Sequence, residues 1–577
     1  MPGIRGSSIN SGVRDTYSSA VNKSELAAAL VIGVTSHRDL LDADRAALRD
    51  TLRRWLQALH ADYPALPLTA LSPLAEGGDR LFAEVALELG ARLIVPLPLS
   101  LPMYREDFVD ADSRAEFDRL LAQGSAVLLP QPDAALSDLD RPGPLRDQQY
   151  LMSGLYIANH CHLLVALWDG RESDLSGGTA QIVRYYLGGL LPGARRATDN
   201  LRQMLAGDDD SLVLHIPVRR ASQPEAAPLP DAEPAWVTSS ARTILGTGMP
   251  MEFRRIFSRM QTFEWDRQRH VAPSTVVGDG TALAKLFECV DRMAGHYQRQ
   301  MLRAMRAIHV LAFAMGVSFL LYSDLNAPDT MLWVFLVLFA LGVGLTTLAK
   351  QREWHRKYVD YRALAEGLRV QWYWRRARLT LTGDPEFAHD NFLQKQDVEL
   401  EWIRNVMREA ALEPLADIPD ADAQLQRVIE EWIGLPGGSG QLGYYERTAA
   451  KRARLHLHKE QFGNTCLWVG IAISVWLALF HRGLGLSLSN LLVTLMGILS
   501  LAAAVREAYA YRKADKELIK QYQFMHRIYR HARAALDAAV GAREQREILR
   551  ALGEAALAEH AEWALMHRNR PIEHGKP

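Results

Sequence analysis

The stretch "LVALWDGRESDLSGGTAQIV", Leu164–Val183, decides how the first part of the chain folds. An uncharged run rich in Leu and Val ends in Trp168-Asp169-Gly170. A short polar loop follows, and Ser176-Gly177-Gly178-Thr179 then opens a segment with helical spacing. A buried strand, a loop and a helix in that order form half of a βαβ unit. Two glycines and a hydroxyl where a helix begins suit an anionic ligand, because helix N-termini offer unpaired N–H groups and the positive end of a dipole. The alternative is an ordinary strand–helix turn.

The same alternation runs outward over residues 28–218. "ALVIGVT" (29–35) reads as a buried strand. Asp42–His60 reads as an amphipathic helix, with Leu48, Leu52, Trp55, Leu56 and Leu59 on one side. "PLTAL", "GDRLFAEVALELG", "RLIVPLP", Ser113–Gln123, "SAVLLP", Arg146–His160, "HLLVALWDG", Gly177–Leu190 and "LVLHIPV" continue the series. This order predicts a doubly wound, Rossmann-like α/β domain with a mainly parallel sheet, over 26–220. Ligands of such sheets sit outside the C-terminal strand ends, at a topological switch point. Three strand ends carry matching chemistry. The first has Gly33, Thr35, Ser36, His37 and Arg38. The second has Glu76, Gly77, Gly78, Asp79 and Arg80. The third has Asp169, Gly170, Gly177, Gly178 and Thr179. Glycines let backbone approach a phosphate, arginines neutralise it, and carboxylates grip ribose hydroxyls.

The remaining chain is of another kind. Four long runs lack Asp, Glu, Lys and Arg: Ala307–Tyr322, Met331–Ala349, Thr465–Phe480 and Leu486–Val505. They read as four transmembrane helices in two hairpins, although 16-residue runs give roughly 24 Å of helix against a hydrocarbon core of about 30 Å. Arg299, Arg303, Arg306, Lys350, Arg352, Arg356 and Lys357 flank the first hairpin. Lys451, Arg452, Arg454, Lys459, Arg506, Arg512 and Lys513 flank the second. The first tip, "SDLNAPDT", has no Lys or Arg, and the second carries only His481 and Arg482. The positive-inside rule puts both tips outside and both termini in the cytoplasm of a multi-pass protein of the bacterial inner membrane. Each hairpin leads into a long charged helix, Gln351–Arg378 dense in Arg, Trp and Tyr and Arg506–Ala532 similar in Arg and Tyr, which reads as membrane anchoring or helix packing. The repeated order predicts a duplicated module, and Tyr361-Arg362 matches Tyr511-Arg512, Gln371 matches Gln521, and Trp374 matches Phe524. The expected division is a disordered tail at 1–25, the α/β domain at 26–220 and a Pro-rich linker with an amphipathic helix at 221–280. Two-transmembrane modules follow at 281–435 and 436–545, then a C-terminal helix and tail at 546–577.

Composition narrows the partners. The 577 residues carry 66 Lys and Arg against 67 Asp and Glu, so no basic excess points to a stable nucleic-acid partner. Cys161, Cys289 and Cys466 are isolated and imply neither a disulfide framework nor a zinc site. In "NHCH" (Asn159–His162) no third ligand is fixed by spacing, so it reads as a helix–strand junction and not as metal. No Walker-type phosphate loop occurs. No cofactor is expected.

The segments "GVTSHRDL", "LSPLAEGGDRLFAEVALELGARLIVPLPL" and "LLVALWDG…SGGTAQIV" together resemble the SLOG superfamily of Rossmann-like nucleotide-ligand domains, which includes the DprA and cytokinin-activating LOG proteins. The two later modules are similar in architecture to SLATT, the two-transmembrane effector domain associated with SLOG. The resemblance implies a sensor of a nucleotide-derived second messenger that perturbs or permeates the membrane, as a homo-oligomer, in bacterial conflict and antiviral defence. LOG enzymes carry Pro-Gly-Gly-x-Gly-Thr-x-x-Glu. This chain has Ser176-Gly177-Gly178-Thr179-Ala180-Gln181-Ile182-Val183, without the third glycine and the catalytic glutamate. Binding is therefore expected and no catalytic residue is assigned. The rival readings are a membrane-tethered enzyme acting on an N-glycosidic bond, with Glu76, Asp79 or Glu84 as its carboxylate, and a non-catalytic scaffold.

Overall fold

The computed structural model describes residues 28–131, 139, 143–173, 177–188, 211–227, 233–270, 281–325, 328–379, 392, 400–412, 421–480 and 485–568. The 1–25 tail, Ser176, the end of the 177–190 helix, His481 and Arg482, and the residues after 568 lie outside them. The chain divides into two compact units, Met1–Leu286 with Thr380–Ala416, and Phe287–Leu379 with Asp417–Pro577.

The first unit is built on one eight-stranded sheet. Its strands are β1 (Leu30–Ser36), β2 (Leu68–Leu71), β3 (Arg92–Leu97), β4 (Ser125–Leu128), β5 (Leu163–Trp168), β6 (Val213–Pro217), β7 (Ala235–Val237) and β8 (Arg242–Ile244). The order is β4-β3-β2-β1-β5-β6-β7-β8. Pairing is parallel from β4 through β6, and antiparallel for β6–β7 and β7–β8. The order reverses between β1 and β5, so the switch point lies at their C-terminal ends.

The helices of this unit are α1 (Arg45–Asp62), α2 (Gly78–Glu88), α3 (Leu101–Arg105), α4 (Ala111–Leu121), α5 (Pro144–His160), α6 (Thr179–Gly188) and α7 (Met251–His270). The five apolar positions read from the α1 sequence are its buried ones. Ile157 and Cys161 from α5 and its C-cap, with Ile182 and Tyr186 of α6, share a core with Val31, Ile94, Leu164 and Val213 of the sheet. Gly33 serves this packing, since a Cβ there would lie 2.6 Å from Ile157 Cγ2. On the opposite face, α2 starts against Leu167, whose Cδ1 stands 2.6 Å from where a Gly78 Cβ would be.

Two features extend this unit beyond the expected boundary at 220. The segment read as a linker ends in β7, where Ala235 and Trp236 are buried and Trp236 meets Trp55 edge-on at 5.9 Å. A later helix, Glu401–Ala411, expected within the first membrane module, belongs here as well. His162 accepts the Val31 N–H at Nδ1 (3.1 Å) and donates from Nε2 to the carbonyl of Asn405 (2.8 Å). Burial pushes the His162 imidazole down to about 3, so it packs as a neutral ring.

The second unit is helical. Continuing along the chain, α8 is Ala282–Asp324, α9 Thr330–Gln351, α10 Trp354–Arg376, α11 the Glu401–Ala411 helix of the first unit, α12 Ala421–Val428, α13 Gly440–Phe480, α14 Leu486–Arg512, α15 Asp515–Ala538 and α16 Ala542–Arg568. Four helices are long and apolar enough to cross a membrane. Their side chains lie bare: Trp333, Trp468 and Leu479 are 70%, 67% and 70% exposed, an apolar belt that water does not tolerate. Gly316 of α8 and Gly497 of α14 sit where these helices meet, with a Cβ at 316 falling 2.5 Å from Leu501 Cδ2.

The repeated module order is present, but its register differs from the sequence matches. Each second span breaks before its charged helix at a non-glycine residue in the left-handed region, Glu353 (φ 51°) and Ala514 (φ 51°). Tyr361-Arg362 therefore lies inside α10 after its break, and Tyr511-Arg512 ends α14 before its own. Aligning the breaks instead pairs Leu364 and Leu368 with Met525 and Tyr529, all buried. The aromatic stripe of α10 packs against α16. Trp374 leaves no room for a Cβ at Gly553 (2.2 Å to Nε1), and Tyr358 meets Trp563 edge-on at 5.9 Å.

Candidate functional site at the sheet switch point

The strand ends singled out in the sequence converge. His37 follows β1 and Asp169 follows β5; His37 N–H donates to the Leu167 carbonyl (3.1 Å). His37 Nε2 stands 3.0 Å from Asp169 Oδ1, in ion-pair reach but without hydrogen-bond alignment. Asp169 is itself fixed by accepting the Arg171 N–H at 3.0 Å, while Gly170 takes the turn at φ 79°. Arg38 is exposed, and its guanidinium lies 5.6 Å from the centroid of the Tyr150 ring. Gly177 packs against the same α5 turn, with φ 74° and a would-be Cβ 3.1 Å from Leu151 N. Its N–H donates to Gln181 Oε1 (2.6 Å), whereas the amides of Gly178, Thr179 and Ala180 meet no acceptor among the described residues. Arg38, which lies over Tyr150, the His37–Asp169 pair and the start of α6, which packs on the same α5 turn, thus gather around the switch point. Thr35 and Thr179 sit at the adjoining strand end and first helical turn.

The Gly77-Gly78 turn has a different task. Gly77 (φ 87°) would place a Cβ 2.4 Å from the Arg38 carbonyl oxygen, and Gly78 N–H donates to the His37 carbonyl (3.3 Å). These glycines let the β2–α2 loop press on the β1 loop; chain, not ligand, occupies the close approach. Arg80, expected to offer charge to a ligand, is buried. Its Nε donates to the Leu74 carbonyl (3.1 Å), and Nη1 reaches the Ser113 carbonyl and hydroxyl (2.9 Å each) and Glu116 (2.8 Å). It clamps a loop in which Leu74 holds φ 56°. Four acceptors on Nε and Nη1 hold Arg80 inward, with Nη2 buried and unbonded among the described residues.

Asp79 is the unusual group. It is 5% exposed and accepts from Ser36 Oγ at 2.7 Å. Burial pushes its carboxyl up to about 7, against the pull of the Ser36 bond, Arg38 and Arg80. A carboxyl poised near neutrality at the switch-point end of β1 is one mark of a functional site. The other two carboxylates of the enzyme reading are engaged: Glu76 accepts from Ser113 Oγ, and Glu84 pairs with Arg49 (2.9 Å) and Arg119.

Sequence reading passed over the wall behind Arg38. Tyr150 donates to Asp107, Arg146 joins both through that carboxylate and through Nε to the Tyr150 hydroxyl (2.9 Å), and burial pushes Tyr150 up to about 12. The signal available was an Arg and a Tyr four apart on one helix, with nothing in sequence to aim that side at the switch point. No protein-family model, no curated protein and no solved structure matches this chain.

Proposed function

We propose that the protein is a membrane-anchored receptor whose α/β unit, SLOG-like in fold, binds a nucleotide-derived anion at the β1–β5 switch point. The observation carrying this is the convergence of Arg38, the His37–Asp169 pair and the open amides of Gly178, Thr179 and Ala180. The amides and Arg38 suit a phosphate, and Asp169 suits a ribose hydroxyl. The bare apolar helices support the rest of the reading: four spans in a bacterial inner membrane, with the α/β unit and both termini cytoplasmic. Spans without internal charge make a poor pore singly, so the effector step is assigned to a homo-oligomer that perturbs the bilayer in response to the ligand. Asp79 favours a second reading, acid–base catalysis on a bound nucleotide, because a carboxyl near neutrality is matched to that task.

The experiment is mass spectrometry of small molecules carried by the full chain purified in detergent, alongside Arg38→Gln. The wild type should retain a phosphate-bearing metabolite, and the variant should hold at least tenfold less, as loss of a charge-assisted bond of roughly 1.5–3 kcal/mol requires. Equal occupancy in both proteins would remove Arg38 from the site. Release of free base by the wild type would favour the enzyme reading.

A further inference from the structure

A second polar site lies within the helical unit. A cavity of about 440 Å³ opens where α8, α10, α13, α14 and α16 meet. Arg306, Lys451, Arg452, Arg512 and Lys513 line it, and no Asp or Glu does. Three more enclosed arginines of this unit are matched: Arg356 with Asp360 (3.1 Å), Arg362 with Asp291 (2.6 Å), Arg369 with Glu366 (3.0 Å). At the cavity, Arg306, Lys451 and Arg452 pair with no carboxylate among the described residues, and Arg452 instead lies 4.9 Å over the Tyr522 ring. Three cations, Arg306, Lys451 and Arg452, gathered where no carboxylate lines the wall repel one another, and an anion relieves that cost.

The cavity's place narrows the anion. Arg306 immediately precedes the apolar run of α8, and Arg512 and Lys513 follow that of α14. Leu302, Met305 and Leu455 supply an apolar wall beside the cations. A basic recess with a greasy shoulder at the end of apolar helices matches an anionic phospholipid, whose phosphate meets the cations while its glycerol and upper chains meet the wall. We propose that this cavity is a phosphate site, filled from the bilayer by the headgroup of an anionic phospholipid. The lipid source rests on reading the four helices as spans; the phosphate chemistry does not.

The test is thermal melting of the full chain in detergent, titrated separately with phosphatidylglycerol, phosphatidylcholine and inorganic phosphate. Phosphatidylglycerol should raise Tm saturably and phosphatidylcholine should not. Lys451→Gln, at an exposed side chain that leaves folding alone, should need about fivefold more phosphatidylglycerol, the factor that roughly 1 kcal/mol per juxtamembrane cation converts to. Arg306→Gln with Arg452→Gln should need about 25-fold more, and Arg543→Gln, equal in charge change to Lys451→Gln but at a 94% exposed side chain, should behave as wild type. A rise with inorganic phosphate at matching concentration, lost in the same variants, would keep the phosphate site and reassign its source to a soluble anion. Equal response to both lipids, or variants indistinguishable from wild type, would overturn the proposal. Because the readout is binding in detergent, a wrong membrane orientation does not produce either result.

Discussion

Asp79→Asn should stabilise the first unit by about 4 kcal/mol at pH 8 and by little at pH 4. The folded carboxyl is held near 7, against an ordinary value of 3.8, chiefly by burial. A group raised in the folded state contributes fully below its unfolded value and loses that contribution as pH rises through its folded value. Here the window runs from about 4 to about 7, at roughly 1.4 kcal/mol per pH unit. Above it, the wild type carries a buried carboxylate. Asparagine still accepts from Ser36 Oγ and brings no charge. The comparison of variant with wild type cancels the opposing histidines: burial pushes His160 and His162 down to about 4 and about 3, so both weaken the fold as pH falls below about 6.5. Urea titrations at both pH values decide it, and a neutral or destabilising effect at pH 8 would show that Asp79 is stabilised in its charged form.

Glu264→Ala should have the opposite sign and a cost of about 3–5 kcal/mol. Glu264 on α7 is 0% exposed. Its oxygens accept from Ala28 N–H (3.0 Å), Arg267 Nε (2.8 Å) and Nη2 (2.7 Å), and Gln268 Nε2 (3.1 Å). Truncation strips Arg267 of its carboxylate and leaves the amide at the entry to β1 buried without its acceptor. Glu264→Leu combined with Arg267→Met should recover most of the loss, because apolar replacement of both partners removes the desolvation penalty as well. The measurement is the shift in the first unit's unfolding midpoint. A single variant costing under about 1 kcal/mol would mean that α7 is a loosely attached helix.

That second prediction concerns a part of the fold the sequence hid. Strands β1 to β6 were legible because each is an apolar run bounded by turn residues, and α1 because its four leucines and one tryptophan keep a helical period. β7 and β8 have three residues each, too few for any period, and Pro-rich chain before them reads as linker. α7 was legible as the amphipathic helix of 221–280 but not as a member of the first unit, and the Glu401–Ala411 helix lay unmarked inside the first membrane module. Their membership rests on contacts far apart in sequence, such as Tyr63 with Phe257, Phe263 with Trp402, and His162 to the Asn405 carbonyl.

The site was legible to the same degree. Strand order follows from alternation, so the meeting of His37 with Asp169 at the switch point was within reach. The direction of a side chain is not. Arg80 and Arg38 look alike in sequence, yet Arg80 turns inward to clamp Leu74 and Ser113 while Arg38 stays exposed over Tyr150. Glycines mislead in a similar way: Gly33, Gly77 and Gly78 admit a helix or a neighbouring loop, while Gly177 turns the chain into an open helix end.

Impermeant thiol labelling of intact cells tests whether two hairpins hold the α/β unit on the cytoplasmic side of a membrane. The native Cys161, Cys289 and Cys466 are buried, which leaves a quiet background. Asp324→Cys at the end of α8 and Gly485→Cys at the start of α14 stand at the two tips, and Arg38→Cys reports on the α/β unit. The account predicts that the two tip cysteines react from outside and that position 38 reacts only after lysis. Tip cysteines that need lysis, or a position 38 that labels in intact cells, would contradict it.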